Sequence, residues 1–193
     1  MTCFDPLKRK EVPHWYALYT RPRFEKRVDA RLRERGLESY LPLQTVRRRW
    51  SDRWKNVEFP LFSGYVFVRI TLRQVWHAVQ TDGVMRLVSF NGQPSPIPDY
   101  EIEAVRQVVS GNVPFDCVDY LAVGERVEVV SGPLRGVRGR LLERRGNRKL
   151  LVGIEQIRQA LSVEVHEFEV RRLPEPEFKT ILPKARVDPS LPL

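Results

Sequence analysis

The chain has 193 residues, a formal charge of +9 and 42% hydrophobic residues, enough for one domain or two small ones. No apolar run approaches the ~18 residues of a membrane span, and residues 1–12 are charged and polar, so neither a membrane segment nor a secretory signal is expected. The positive balance directs attention to acidic partners, nucleic acid first, although many soluble proteins carry a similar charge.

Residues 1–13 read as a flexible lead. His14-Trp15-Tyr16-Ala17-Leu18-Tyr19-Thr20 is a strand by its aromatic content. A helix follows: Pro22 suits a first helical position, Glu25 sits in the first turn, and Gly36 is a natural stop. Phe24, Val28 and Leu32 recur every four residues as the buried stripe. Arg23, Arg27 and Arg31 recur at the same spacing, rotated about 100° from it, which predicts a basic ridge beside the packed face. A solvated surface is the plainer reading of such a charge run.

Residues 38–50 read as a strand through Tyr40, Leu41, Leu43 and Val46 that runs into a basic segment, Arg47 to Lys55. Two tryptophans among five basic residues and one acid suit a hairpin tip touching a phosphate backbone, with Arg47, Arg48, Arg49 and Arg53 as the contacts. The alternative is a plain hairpin whose indoles fold back onto the sheet. Next, Tyr65 to Ile70 is aromatic and β-branched with one charge, and neither parity from Tyr65 to Val68 is polar. That strand is expected at the centre of its sheet, covered on both faces. Its approach contains Pro60, Leu61, Phe62, Ser63 and Gly64, an apolar pair beside turn chemistry, which suggests a core running out to an exposed apolar surface.

Thr71 caps a short helix with Leu72, Val75, Trp76 and Val79 on one face, closed at Asp82-Gly83. Residues 84–90 are a strand, residues 94–98 a proline-rich connector, and Asp99 caps a third helix with Ile102, Val105 and Val109 inward. Residues 14–110 thus describe an α+β domain, with helices packed on a mainly antiparallel sheet. Residues 111–120 have no period and read as a linker. Short strands with Gly and Asn turns across residues 121–173 describe a small β-barrel of the SH3-like kind, and residues 174–193 a disordered tail. Residues 154–161 fit either a strand or a helical turn.

No chemistry of catalysis is legible. His14, His77 and His166 are isolated, no Gly-rich phosphate loop precedes a helix, and no nucleophile–base pairing is apparent. Cys3 and Cys117 share no metal-ligand spacing and suggest a reducing compartment. Neither a cofactor nor a metal is expected.

The motifs do resemble a known family. Trp15 to Thr20, the Arg/Lys-rich helix, Phe62-Ser63-Gly64-Tyr65-Val66-Phe67-Val68 and Gly83-Val84 look like the N-terminal domain of NusG-type transcription factors. Gly124 to Val129 followed by Ser131-Gly132-Pro133-Leu134-Arg135-Gly136 resembles the KOW motif opening their C-terminal barrel. Tyr40-Leu41-Pro42, Trp50-Ser51-Asp52-Arg53 and Pro60-Leu61 look closest to specialised UpxY-like and RfaH-like antiterminators, which act on selected operons such as capsular polysaccharide clusters.

The resemblance implies a bacterial, cytoplasmic, monomeric elongation factor that grips the clamp helices of the largest RNA polymerase subunit and suppresses pausing and termination. Phe62, Tyr65 and Phe67, with Tyr19 nearby, would form the grip. In RfaH-like relatives the first helix reads non-template DNA, and here the matching arginines are Arg21, Arg23, Arg27, Arg31 and Arg35. Arginine suits that work because its planar fork brackets a guanine edge or a phosphate. The loop holding Leu134 and Gly136 would bind Rho or a small-subunit ribosomal protein, with Leu134 standing where general NusG proteins usually have phenylalanine. Two alternatives stay open: a general factor that recruits Rho, and a ribosome-associated RNA-binding protein built on a KOW barrel. The valines at 127, 129, 130, 137, 152, 163 and 165 favour strands over a helical alternative state.

Overall fold

In a computed structural model, the described residues are 11–50, 53–111, 113–120, 124–144, 147–165 and 169–174. Nearly all of the expected lead and tail, and residues 51–52 of the expected hairpin tip, lie outside them. The first half runs β1 (His14–Thr20), α1 (Glu25–Glu34), β2 (Glu38–Tyr40), β3 (Leu43–Trp50), β4 (Arg53–Pro60), β5 (Tyr65–Ile70), α2 (Val75–Val79), β6 (Val84–Leu87), β7 (Ser89–Phe90), β8 (Gln93–Pro94) and α3 (Asp99–Ser110).

β5 sits inside a four-stranded sheet of order β2-β5-β1-β6, as its two apolar parities require. The ladder with β1 is antiparallel, from His14 opposite Ile70 to Tyr19 opposite Tyr65. Because side chains alternate along a strand, the two faces bury different sets. Tyr16, Leu18, Val66, Val68 and Ile70 join Val28 and Leu32 of α1 and Ala78 of α2. Trp15, Ala17 and Phe67 join Ile102, Ala104, Val105 and Val108 of α3. Burying a side chain of this size contributes about 1.5–3 kcal/mol.

The second half is β9 (Phe115–Asp119), β10 (Glu125–Val129), β11 (Arg138–Arg144), β12 (Asn147–Ile154), β13 (Gln159–Glu164) and β14 (Val170–Arg172). They form one antiparallel sheet of order β14-β10-β11-β12-β13-β9, the expected β-rich second part of an α+β chain. The ambiguous stretch resolves into a 3-10 turn at Glu155–Ile157 followed by β13. Among the described residues no helix is long and apolar enough to cross a membrane.

Three expectations are corrected. Residues 111–120 are not a bare linker, since β9 pairs with β13 from Phe115 opposite Val163 to Asp119 opposite Gln159. Its exposure concealed it: every residue from Asp116 to Asp119 is exposed, and an edge strand that buries little shows little apolar period. Trp76 is not on the packed face of its helix but 66% exposed; the inward stripe is Leu72, Val75 and Val79, and Trp76 lies about 100° from Val75. In α3, Ala104 and Val108 are buried beside Ile102 and Val105. This helix touches β1 and also β11 and β12, so one apolar stripe was too narrow a reading. The core on the α3 side therefore continues without a break into Val127, Val129, Val152, Ile154 and Leu161 of the second sheet.

Candidate binding surfaces

The turn before β5 organises an aromatic corner. Gly64 has φ +82°, a conformation that favours glycine. Its N–H donates to the buried carboxylate of Glu25 at 2.8 Å, and its carbonyl accepts from the Thr20 N–H at 2.8 Å. Glu25, read from sequence as a helix-dipole residue, is thus the buried tie between α1 and this turn. A side chain at Gly83 would meet Phe24 and Val28 at 2.9 Å, so α1 packs directly on that backbone. Tyr19 and Tyr65 meet at a tilt of 56° with ring centroids 5.4 Å apart, and the Arg86 guanidinium lies 5.4 Å from the Tyr19 ring. Both tyrosines are partly exposed.

Beneath them the phenylalanines are covered. Phe62 is 1% exposed and meets Phe67 edge-on at 5.9 Å, and Phe67 stacks with Tyr40 at 6.3 Å. The expectation that the Leu61-Phe62 approach is an exposed apolar surface is therefore corrected. The Tyr65 N–H bonds the Phe62 carbonyl at 3.1 Å, folding the approach back, and the Cys117 thiol of β9 donates to the Leu61 carbonyl at 3.8 Å. Arg106 of α3 sits over both Trp15 at 5.3 Å and Tyr40 at 4.8 Å. Burial pushes the Tyr40 hydroxyl up to about 12, with Arg106 pulling it down and Glu103 adding to the rise.

The arginine ridge is divided by its partners. Arg21 and Arg31 share Asp82, and the Arg31 side chain also donates to the Asp82 carbonyl at 2.8 Å. Arg35 donates to the His77 carbonyl at 3.0 Å. Arg23 and Arg27 are exposed and have no carboxylate partner among the described residues; Arg23 has φ +65°, and Arg27 lies 5.2 Å from the Phe24 ring. Of this ridge, the cations left for an external phosphate among the described residues are therefore Arg23 and Arg27, at the start of α1.

β3 and β4 form a ribbon paired with no other strand among the described residues. Its register puts Arg49 opposite Trp54 and Arg47 opposite Asn56. Trp54 is 56% exposed, with Arg47 at 5.1 Å over its ring, so this indole does not fold back onto a core. The side chains of Arg48 and Arg53 lie outside the described residues.

In the second half, Leu134 is 3% exposed, against the expectation that it presents itself to a partner. It lies beside Gly111 at the end of α3, where an added side-chain carbon would sit 3.3 Å from it. Gly136 and Arg135 of the same loop are exposed. At the other end of α3, Gln156 donates to the Pro96 carbonyl at 3.0 Å. There too, the Glu101 Oε2 is buried without a hydrogen-bond partner. Burial pushes its carboxyl up to about 8; the Glu155 charge adds to this, while hydrogen bonds from the Glu155 backbone and Tyr100 and the charge of Arg126 oppose it.

Residues 13–106 match the family model described as "Transcription termination factor nusG". Among similar proteins, the transcription termination/antitermination protein NusG of Lactococcus lactis is 29% identical over 171 residues, 80% of this chain and 91% of that one. The protein of the same name from Streptococcus pyogenes is 27% identical over 169 residues, 79% of this chain and 93% of that one. A solved structure described as "Domain interaction in Thermotoga maritima NusG" covers 86% of this chain and 99% of its own, at 24% identity and a TM-score of 0.48. The matched segment contains the aromatic corner, the α1 arginines and the β3–β4 ribbon; the second sheet lies beyond it.

Proposed function

We propose that this chain is a transcription elongation regulator that grips RNA polymerase through the aromatic corner and suppresses pausing and termination, on selected operons such as polysaccharide clusters. What carries the reading is the Tyr19–Tyr65 pair, partly exposed beside the buried Phe62 and Phe67 within the segment that matches the NusG family model. Aromatic side chains that pair a rigid apolar body with a polar tip are the usual anchors of such interfaces. Arg23 and Arg27, without acid partners, are the best-placed cations for non-template DNA. Phe62, Phe67 and Leu134 belong to one apolar cluster shared by both halves. Use of the phenylalanines or of Leu134 by a partner therefore requires the second sheet to leave the α3 side.

The test is a pull-down with isolated clamp helices of the polymerase's largest subunit, with Rho in a parallel arm. Capture by the helices, lost in Tyr65→Ala while the melting temperature stays within a few degrees, supports the reading. Capture by Rho alone would favour a general termination factor. Binding to ribosomal RNA with no affinity for the helices would favour a translation role.

A further inference from the structure

We propose that the face of the β3–β4 ribbon bearing Arg47, Arg49 and Trp54 is a stacking platform for an unpaired nucleobase, extending a single-stranded nucleic-acid track from the start of α1. This rests on the nucleic-acid half of the function proposed above. Strand alternation assigns the face: Thr45, Arg47 and Arg49 of β3 share it with Trp54, Asn56 and Glu58 of β4. Glu58 of this face pairs with Lys26 of α1 at 3.0 Å. The ribbon's platform therefore faces the same side as the helix, and the two basic clusters of the sequence become neighbours on one surface. From the Thr45–Glu58 pair the ribbon continues to Trp50, about 17 Å further. On the described strands no carboxylate lies on that face beyond Glu58, while Arg47 and Arg49 have no acid partner among the described residues.

The indole is prepared for stacking. Arg47 covers one side of it, which holds the ring's orientation and leaves the remaining surface open to solvent. An exposed tryptophan with flanking arginines is the arrangement that binds a base by its π-face and the adjoining phosphates by charge. Paired bases in a duplex hide their faces within the stack, so the chemistry selects an unpaired strand. A two-stranded ribbon in a duplex major groove is the competing geometry.

The experiment titrates the full chain into a labelled 12-nucleotide DNA of mixed sequence, as a single strand and as a duplex, reading anisotropy and tryptophan quenching. Trp54→Ala is expected to weaken single-strand binding about 5- to 100-fold, Trp54→Phe to retain most of it, and Trp76→Ala, the exposed indole of α2, to leave it unchanged. Arg47→Ala with Arg49→Ala is expected to lower the slope of log affinity against log salt by about 0.7 for each phosphate contact removed. Single-strand binding absent in the parent chain, unchanged in Trp54→Ala, or lost equally on the duplex would overturn the proposal. So would a loss of clamp-helix capture in Trp54→Ala, which would make the ribbon a protein contact. Failure of every variant and the parent to capture clamp helices would instead remove the proposed polymerase role and leave the nucleic-acid result standing.

Discussion

The aromatic corner and the β3–β4 ribbon use the same materials, aromatic rings with arginines stacked on them, and differ in what lies over them. At the corner, Phe62 and Phe67 are enclosed in the cluster that α3 shares with the second sheet, and the neighbouring tyrosines stay partly exposed. On the ribbon Trp54 stays 56% exposed, and its only ring partner among the described residues is a cation. Rings crossed by an apolar element become core even where an arginine also covers them, as Arg106 covers the buried Trp15, whereas Trp54, met by Arg47 alone among the described residues, keeps its solvent face. The difference teaches that an aromatic residue's role in this chain is set by the element that crosses it, more than by its own loop or strand position.

The strongest way to break the comparison is Phe62→Ala. If the corner is core, this change removes a buried ring and costs about 3–5 kcal/mol, seen as a large drop in denaturant midpoint; an unchanged midpoint would return Phe62 to the surface. Next is Glu25→Ala, which leaves the part-buried Gly64 N–H without its acceptor and should cost about 1–3 kcal/mol. Tyr65→Ala sharpens the contrast from the other direction. It should lose at least about tenfold in clamp-helix affinity, as anchor residues do, with a much smaller change in melting temperature than Phe62→Ala.

A subtler effect is expected at the joint between the halves. The Glu101 carboxyl sits at about 8 in the folded chain, against an ordinary value of 4.5. The folded state thus holds a proton that the unfolded state has released across that window. Its contribution is complete below 4.5 and is lost as pH rises towards 8. Thermal scans from pH 5 to 8 should show the melting temperature falling, and Glu101→Gln should flatten that trend; a parent chain with no such slope would count against a protonated, buried Glu101. Smallest of all is the effect of Arg23→Glu with Arg27→Glu on stability. Exposed changes of this kind stay within about 0.5 kcal/mol, yet recruitment to a paused complex with exposed non-template DNA should be lost. Retention of recruitment would reduce these arginines to a solvated face.

Much of the architecture was legible in the residues. The double apolar parity from Tyr65 to Val68 located the central strand, the four-residue spacing of Phe24, Val28 and Leu32 located the packed face of α1, and Gly and Asn turns marked the second sheet. These succeed because strand and helix periods are local geometry, imposed by the backbone wherever one face is buried. The candidate surfaces were legible only as lists. That Trp54 projects from a basic ribbon was one of two open readings, and its exposure was decided by the absence of a covering element among the described residues.

What depended on tertiary structure is long-range. The partner of Glu25 is the turn at Gly64, Asp82 takes up two arginines of the ridge, β9 lies against Leu61, and Leu134 tucks beside Gly111. Each joins positions far apart in the chain, and no period or propensity carries that information. Composition and spacing determined that this chain builds a helix-packed antiparallel sheet followed by a second, β-rich half with a basic balance. Only the folded arrangement decided which aromatic rings and which cations remain at the surface, because exposure depends on what packs across a residue rather than on what precedes it.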